Sequence, residues 1–318
     1  MQKVQRHWLL LGMLGLLLTA VAACSNDARS ESGAAINAVT QSVSETPFRF
    51  IKNQVLVEVM INDEGPFTFL VDTGVTPSVI DIDLARQLDF PIDDENAGLA
   101  AGAGSNDVQI FPTTMTGLVV AGETLEELPA VAAPITAGLS SKIGEPLHGI
   151  LGYAFLRSRA VRFDYVDHRL SFAPSASSFE QEISDADFVM PLRFGEGDIM
   201  PIADVTIAGE TFVASIDTGS SLGLEVFADA VDRLGLAETV SGWERGQITG
   251  ARGAAEIFNG SLQQATIGPL VFHDISASVG PRRGGDYRDG NIGNEMWDGY
   301  VVIFDYVDER VAFIKSVE

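Results

Sequence analysis

The triplet Asp-Thr-Gly occurs twice in the sequence, at Asp72 and at Asp217, each time directly after a run rich in apolar residues. Two carboxylates held close together cannot both keep a negative charge, so they share one proton. The ionised carboxylate can then take a proton from water while the protonated one donates to a substrate oxygen. If the fold brings Asp72 and Asp217 together, they supply a base and an acid. Which of them is the acid stays open, because such a pair titrates as a unit.

Other features surround both triplets in the same order, so the chain carries an internal duplication. The phrase Phe-Asp-Tyr-Val-Asp begins at Phe163 and again 141 residues later at Phe304. A Gly-x-apolar-Gly stretch ends at Gly152 and again, at the same spacing, at Gly293. Each half reads as strand, Asp-Thr-Gly, helix, glycine-rich hairpin and further strands. The sequence therefore predicts an all-β protein of two similar lobes, with one or two short helices in each.

Local patterns predict where the elements and the lobes lie. Alternation and β-branched content predict strands over residues 55–60, 67–71, 205–207 and 212–216. Acidic openings followed by apolar residues at three- and four-residue steps predict helices over 81–88 and 225–234. We expect a first lobe at 47–174, a linker at 175–187 and a second lobe at 188–318. The repeated Phe-Asp-Tyr-Val-Asp phrase is interpreted as structural, with an aromatic strand followed by a turn.

Over about residues 48–314, the sequence resembles the aspartic peptidases. It is similar to the pepsin-like enzymes in its duplicated lobes, and to the retropepsin-like domain in the motifs of each lobe. The resemblance implies two β-barrel lobes with a cleft between them, in which Asp72 and Asp217 hydrolyse peptide bonds of a peptide or protein substrate. It implies no cofactor and no metal. We expect a monomer.

The resemblance also implies roles for the residues that follow each aspartate. The hydroxyls of Thr73 and Thr218 are expected to hydrogen-bond across the lobe interface. Gly74 and Gly219 are expected to allow a tight backbone beside the carboxylates and to offer them N–H groups. Gly152 and Gly293 are expected to pack against the two loops, where a side chain would collide. Candidate residues of the flaps that close over substrate are Gly102, Gly104, Gly250 and Gly253.

Two departures from the family pattern leave room for a second function. Val75 follows the first triplet where the family usually has a small or hydroxylated residue, whereas Ser220 follows the second. The Ser220 hydroxyl is expected to hydrogen-bond the Asp217 carboxylate and favour its charged form. Pepsin-like enzymes carry a flap tyrosine in the first lobe, and here no tyrosine lies between Asp72 and Gly152. The alternative is therefore a weak or inactive peptide-binding protein of the same fold.

A rival enzyme motif overlaps the second triplet. Residues 219–223 fit Gly-x-Ser-x-Gly, in which Ser221 would be a serine nucleophile. Asp229 or Asp232 and then His273 follow in the order that such a triad requires. This motif needs a turn from a strand into a helix within alternating strands and helices, whereas the duplicated pattern is β-rich.

The first 46 residues predict an export signal and a tether. Residues 1–23 have a basic start and an apolar core shorter than the ~20 residues of a membrane-spanning helix, as in signal peptides. Cys24, the only cysteine, follows small residues as in the bacterial lipobox, so we expect it to carry a lipid. Residues 24–46 predict a flexible tether. The expected location is the bacterial cell envelope, facing the periplasm or the exterior, and in a Gram-negative cell the outer membrane is slightly favoured. A net charge of −24 argues against nucleic-acid binding.

Overall fold

Strands make up most of the described chain, in two halves joined by a short helical segment. The predicted signal peptide, Cys24 and most of the predicted tether lie outside the described residues, as do Gly102 and Gly104. No helix in the part of the chain that the structure describes is long and apolar enough to cross a membrane. The computed structural model describes residues 43–100, 108–134, 136–194, 200–250, 253–282 and 288–316.

The first half and the linker contain the elements that hold the first triplet. In chain order they are β1 (Ser44–Pro47), β2 (Arg49–Ile51), β3 (Gln54–Ile61), β4 (Glu64–Val71), β5 (Ser78–Asp81), α1 (Ile82–Gln87), β6 (Gly98–Leu99), β7 (Gln109–Val120), β8 (Glu123–Ala133), a π-helical turn (Thr136–Ser140), α2 (Ser141–Ile143), β9 (Gly149–Leu151), α3 (Tyr153–Leu156), β10 (Ala160–Asp164), β11 (Arg169–Ala173), a 3-10 helix (Ala176–Phe179) and α4 (Glu180–Ser184).

The second half repeats this order around the second triplet. Its elements are β12 (Phe188–Pro191), β13 (Arg193–Phe194), β14 (Pro201–Ile207), β15 (Glu210–Ile216), β16 (Leu224–Phe227), a 3-10 helix (Ala228–Ala230), α5 (Ala237–Val240), β17 (Glu244–Gly250), β18 (Gly253–Ile267), β19 (Leu270–Gly280), β20 (Gly290–Ile292), a 3-10 helix (Asn294–Trp297), β21 (Tyr300–Asp305) and β22 (Arg310–Lys315).

Each half forms an eight-stranded sheet with the same strand order. The first sheet runs β2-β3-β4-β9-β5-β8-β7-β6, and the second runs β13-β14-β15-β20-β16-β19-β18-β17. A further pairing, β3 with β7 and likewise β14 with β18, makes each sheet curl back on itself. In each sheet the strand before Asp-Thr-Gly pairs in parallel with the strand before the later glycine. The predicted duplicated, bilobal all-β fold is confirmed.

A third sheet joins the two lobes, with three strands from each. Its order is β1-β11-β10-β21-β22-β12, and β10 pairs antiparallel with β21 at the centre. Phe163 of β10 and Phe304 of β21 are fully buried and meet edge to face at 5.7 Å between ring centroids. Asp164 accepts hydrogen bonds from the N–H groups of the following turn, and Asp305 does the same in the second half. The repeated phrase thus builds this sheet and its turns.

One predicted helix is not formed, and the segments assigned to the linker and the tether contain regular structure. Residues 225–234 were expected to form a helix, but they begin within strand β16 and continue into a 3-10 helix, so that prediction is wrong. Its acidic opening, Glu225, is fully buried and accepts a hydrogen bond from Asn291 Nδ2 at 2.8 Å. The linker is a folded segment whose Phe179 and Ile183 are buried against the central sheet. Strand β1 begins within the last residues assigned to the tether.

Candidate active site

The two aspartates stand at equivalent strand ends, one in each lobe. Asp72 directly follows β4, and Asp217 directly follows β15. The N–H of Asp72 donates to the carbonyl of Leu151 at 3.0 Å, and that of Asp217 donates to the carbonyl of Ile292 at 2.9 Å. Each aspartate is therefore fixed by the parallel strand beside it, and the duplication places both in the same local geometry.

Each carboxyl group lies against the motif glycine of the other lobe. Each carboxyl group also accepts a hydrogen bond from the motif glycine of its own lobe. Asp72 Oδ1 accepts from the Gly74 N–H at 2.7 Å, and Asp217 Oδ1 accepts from the Gly219 N–H at 3.0 Å. A methyl group in place of a Gly74 hydrogen would lie 2.5 Å from Asp217 Oδ1, and one at Gly219 would overlap the Asp72 carboxyl. Neither glycine can carry a side chain while both carboxyl groups keep these positions.

The pKa of Asp72 is raised well above the ordinary aspartate value. Burial is the largest cause, and the neighbouring Asp217 carboxyl is the second, through its charge and a side-chain hydrogen bond. The N–H groups of Gly74 and Gly219 act in the opposite direction. A carboxyl group in this state keeps its proton at a pH where an exposed aspartate has lost it. The pair of carboxyl groups can therefore hold a shared proton for donation.

Asp72→Asn is expected to stabilise the folded protein near neutral pH and to lose this advantage in acid. Because the pKa of Asp72 is higher in the folded than in the unfolded state, stability falls as the pH rises from the unfolded pKa through the folded one. Asparagine does not ionise, so the variant does not lose this stability as the pH rises. Thermal unfolding at neutral pH and at about pH 3, below the ordinary aspartate pKa, measures the effect. An equal difference at both pH values, or one shared by the exposed control Asp94→Asn, would contradict this expectation.

Thr73 and Thr218 bond to each other's loop across the lobe boundary. Thr73 Oγ1 accepts from the N–H of Thr218 at 3.0 Å and donates to the carbonyl of Ile216 at 2.7 Å. Thr218 Oγ1 accepts from the N–H of Thr73 at 3.0 Å and donates to the carbonyl of Val71 at 2.9 Å. Both side chains are almost completely buried. Four buried hydrogen bonds therefore hold the two aspartate loops together.

Gly152 and Gly293 each pack against the loop that follows the aspartate of the same lobe, and this loop leaves no room for a side chain at either glycine. A methyl group at Gly152 would lie 2.6 Å from the carbonyl oxygen of Pro77 and 2.6 Å from Val75 Cγ1. At Gly293 it would lie 2.8 Å from the carbonyl oxygen and 2.9 Å from Oγ of Ser220. Because backbone oxygens are among these contacts, any larger residue must displace the loop that follows the aspartate.

The residues that follow the two triplets, Val75 and Ser220, have different surroundings. Ser220 Oγ accepts the N–H of Leu222 at 3.4 Å, and no hydrogen bond joins it to the Asp217 carboxyl within the described ranges, so the expectation of such a bond is wrong. The Ser220 N–H donates to the Asp217 carbonyl at 3.0 Å and closes a turn. Val75 is half-buried and packs against an apolar cluster that includes Leu70.

Of the flap candidates, only those of the second lobe fall within the described ranges. Strands β17 and β18 form a hairpin whose end is the facing pair Gly250 and Gly253. Close to this end, Thr249 lies against the π-helical turn of the first lobe: a methyl group at Gly138 would lie 3.8 Å from Thr249 Cγ2. The second-lobe hairpin therefore reaches the first lobe.

The rival serine motif does not have the setting that it needs. The chain passes from Ser221 into strand β16, so residues 219–223 form no turn from a strand into a helix. Asp229 is paired with Arg282 Nε at 2.6 Å, and His273 is an exposed residue of strand β19. The strand after the motif excludes the nucleophile elbow.

Sequence reasoning missed a set of polar residues beside the second aspartate loop. Asn53, Gln54 and Asn294 each donate a side-chain hydrogen bond to a backbone carbonyl of this loop. Tyr165, interpreted only as part of a structural strand and turn, donates to Asn294. A position-by-position comparison of the two halves would have flagged Asn294, because its counterpart after the other glycine is Tyr153.

Comparison with protein-family models identifies the family. The aspartyl protease model matches residues 57–155 and 203–296, and the two regions together cover more than half of the chain. The chain belongs to the aspartyl protease family. A search of curated proteins gives no match.

Each of the two aspartyl protease regions covers most of one of the two sheets that carry the site. Each region contains one Asp-Thr-Gly triplet and the later glycine that packs against its loop. Strands β10, β11, β21 and β22 lie outside both regions. The family unit is therefore one lobe, and the central sheet joins two such units so that each contributes one aspartate.

Proposed function

We propose that this protein is an aspartic endopeptidase that hydrolyses peptide bonds with a water molecule activated between Asp72 and Asp217. The observation that carries the proposal is the cross-lobe contact, in which each carboxyl group lies against the motif glycine of the other lobe. The raised pKa of Asp72 supports a shared proton, since the charge of Asp217 is one of its causes. The family of the chain supports the same chemistry.

In the proposed reaction, the two carboxyl groups move protons while water forms the new bond. The ionised carboxylate removes a proton from water as its oxygen attacks the peptide carbonyl carbon. The protonated carboxyl donates its proton to the carbonyl oxygen, which gives a neutral tetrahedral intermediate. The carboxyl that took the water proton then passes it to the amide nitrogen, while the other carboxylate removes a proton from a hydroxyl of the intermediate, so that the carbon–nitrogen bond breaks and a carboxylic acid and an amine are released. The pair ends with one proton, as it began, and needs no metal or covalent intermediate.

The test is cleavage of a peptide library over a range of pH, with two inhibitors as probes. We expect cleavage that a statine-type transition-state analogue blocks and that a serine-reactive phosphonate leaves unchanged. Binding of peptides without cleavage at any pH would favour the alternative, a peptide-binding envelope protein of the same fold. The sequence basis for that alternative is Val75 and the lack of a tyrosine between Asp72 and Gly152.

We also propose that the mature protein is anchored to the bacterial cell envelope by a lipid on Cys24. The support is the match of the preceding residues to a signal peptide that ends in small residues before the only cysteine. Mass spectrometry of the membrane fraction should find a chain that begins at a lipidated Cys24. Cys24→Ser should appear in the soluble envelope fraction or stay unprocessed. A lipid-free mature chain in the parent would contradict the anchor and leave the proposed peptidase untouched.

A further inference from the structure

Three side-chain amides hold the loop that carries the second aspartate. We call residues 72–76 the first aspartate loop, residues 217–221 the second aspartate loop, and Asn53, Gln54 and Asn294 together the amide clamp. The clamp satisfies three carbonyl groups of the second aspartate loop. The hydrogen bonds are Asn294 Nδ2 to Thr218 O at 2.6 Å, Gln54 Nε2 to Gly219 O at 3.0 Å and Asn53 Nδ2 to Ser221 O at 3.0 Å.

The amide of Asn294 has its orientation fixed by its partners. Its Nδ2 also donates to the carbonyl of Asn53 at 2.8 Å, and its Oδ1 accepts from the Tyr165 hydroxyl at 2.8 Å. Carbonyl oxygens only accept, so a flipped amide would face both carbonyls with its own oxygen and lose those two hydrogen bonds. Asn294 is fully buried and Tyr165 nearly so. A fully satisfied buried network of this kind is rigid.

The first lobe supplies most of the groups that hold this second-lobe loop. Asn53 and Gln54 lie where β2 turns into β3, and Tyr165 follows β10. Asn53 has a φ of 60°, in the left-handed region that asparagine adopts more readily than most residues. These hydrogen bonds make the position of the second aspartate loop depend on the first lobe, and they are separate from the hydrogen bonds of Thr73 and Thr218.

The first aspartate loop has no equivalent clamp in the sequence. The pairing of Val59 with Val120 matches that of Val205 with Ile267, which sets an offset of 146 residues between β3 and β14. At this offset, and at the 141-residue offset of the later motifs, the clamp positions correspond to residues without a side-chain amide. Gln54 corresponds to Met200 and Asn294 to Tyr153, and residues 195–199, which precede Met200 as Asn53 precedes Gln54, include no asparagine or glutamine.

The tyrosines of the repeated phrase show the same difference. Tyr306 corresponds to Tyr165, and its ring packs against Tyr153 at 5.8 Å between centroids. The buried Tyr306 hydroxyl has no hydrogen-bond partner in the part of the chain that the structure describes, whereas the Tyr165 hydroxyl donates to Asn294. Two duplicated tyrosines therefore differ in one hydrogen bond.

We propose that the amide clamp, oriented by Tyr165, positions Asp217 for the reaction, so that the first lobe controls the geometry of the second aspartate. This inference rests on the proposed peptidase function. The clamp residues act through the backbone of the second aspartate loop and touch neither water nor substrate in the mechanism described above. They are positioning residues, and their removal should change the rate of the chemical step more than substrate affinity.

Tyr165→Phe and Tyr306→Phe form a matched pair that tests the clamp. Tyr165→Phe removes the donor that orients Asn294, and loss of such a buried hydrogen bond should lower kcat by about tenfold with KM little changed. Tyr306→Phe removes a hydroxyl without a partner in the described ranges and should leave kcat unchanged. Gln54→Met, which introduces the residue found at the corresponding position of the second lobe, should behave like Tyr165→Phe. Equal kcat in all three variants and the parent would overturn the proposal.

Amide hydrogen exchange tests the clamp without any need for peptidase activity. In Tyr165→Phe and Gln54→Met, the amides of Gly219 and Ser220 should exchange about tenfold faster, while that of Gly74 keeps its rate. A parent that cleaves no peptide would overturn the proposed function, and exchange would still report on the clamp. Unchanged exchange at Gly219 and Ser220 would overturn the clamp. Faster exchange with unchanged kcat would overturn its role in positioning Asp217.

Discussion

Asp217→Asn is expected to lower kcat for peptide hydrolysis by about 10³-fold, and Asp72→Asn by a similar factor, because each removes one of the two groups that move protons. Asparagine keeps the size of the side chain, so the neighbouring glycines and threonines stay in place. It can neither take a proton from water nor return one. Single-turnover hydrolysis of a peptide that the parent cleaves measures the loss.

The double variant separates a shared mechanism from two independent contributions. If the two carboxyl groups act as one unit, Asp72→Asn with Asp217→Asn should be no slower than either single variant. If the two carboxyl groups contributed independently, the two losses of kcat would multiply to about 10⁶-fold. Asp94→Asn, at an exposed position, should keep the parent rate. A single variant of either motif that retains the parent rate would contradict the proposed mechanism.

The duplicated fold and the two aspartates were predictable because their signals are local and occur twice. Strands β4 and β15 are short runs that end at the triplets, so their type and end point follow from the sequence alone. The spacing from each triplet to the later glycine indicated that the same unit surrounds both. A repeated local pattern needs no knowledge of which distant segments pair.

Glu225 shows why some elements could not be predicted. An acidic residue followed by apolar residues at three- and four-residue steps is also the pattern of a helix start. Here Leu224 pairs with Ile292 on one side and with Ala277 on the other, so distant strands determine the conformation. The buried Glu225 carboxylate is stabilised by a hydrogen bond that Asn291 donates to it. That compensation comes from residues far along the chain, and a local pattern does not contain it.

The amide clamp was unpredictable for the same physical reason. Gln54 bonds to a carbonyl 165 residues away, and Asn53 to one 168 residues away. A side-chain amide can bond to any nearby carbonyl, so its residue type does not indicate its partner. The threonine pair spans a similar distance, at 145 residues, but it was foreseen because both members belong to a recognised motif.

The hydrogen bonds of that threonine pair are expected to make Thr218→Val one of the most destabilising substitutions at the site. Valine has nearly the same shape as threonine, so packing should change little. The substitution leaves the N–H of Thr73 and the carbonyl of Val71 without the hydroxyl that both now use. Each buried, unsatisfied group costs about 1–3 kcal/mol, so the free energy of unfolding should fall by about 3 kcal/mol. Urea unfolding measures this loss.

The second threonine and Thr206, a half-buried threonine of strand β14, show whether the loss belongs to the lobe boundary. Thr73→Val removes the equivalent two hydrogen bonds from the other side and should cost as much. Because the hydroxyls serve reciprocal parts of one network, the double variant should cost less than the sum of the two. Thr206→Val removes only an exposed hydroxyl contact with Thr211 and should change stability by no more than about 0.5 kcal/mol. If Thr218→Val matched Thr206→Val, the sheets and the amide clamp alone would hold the aspartate loops together.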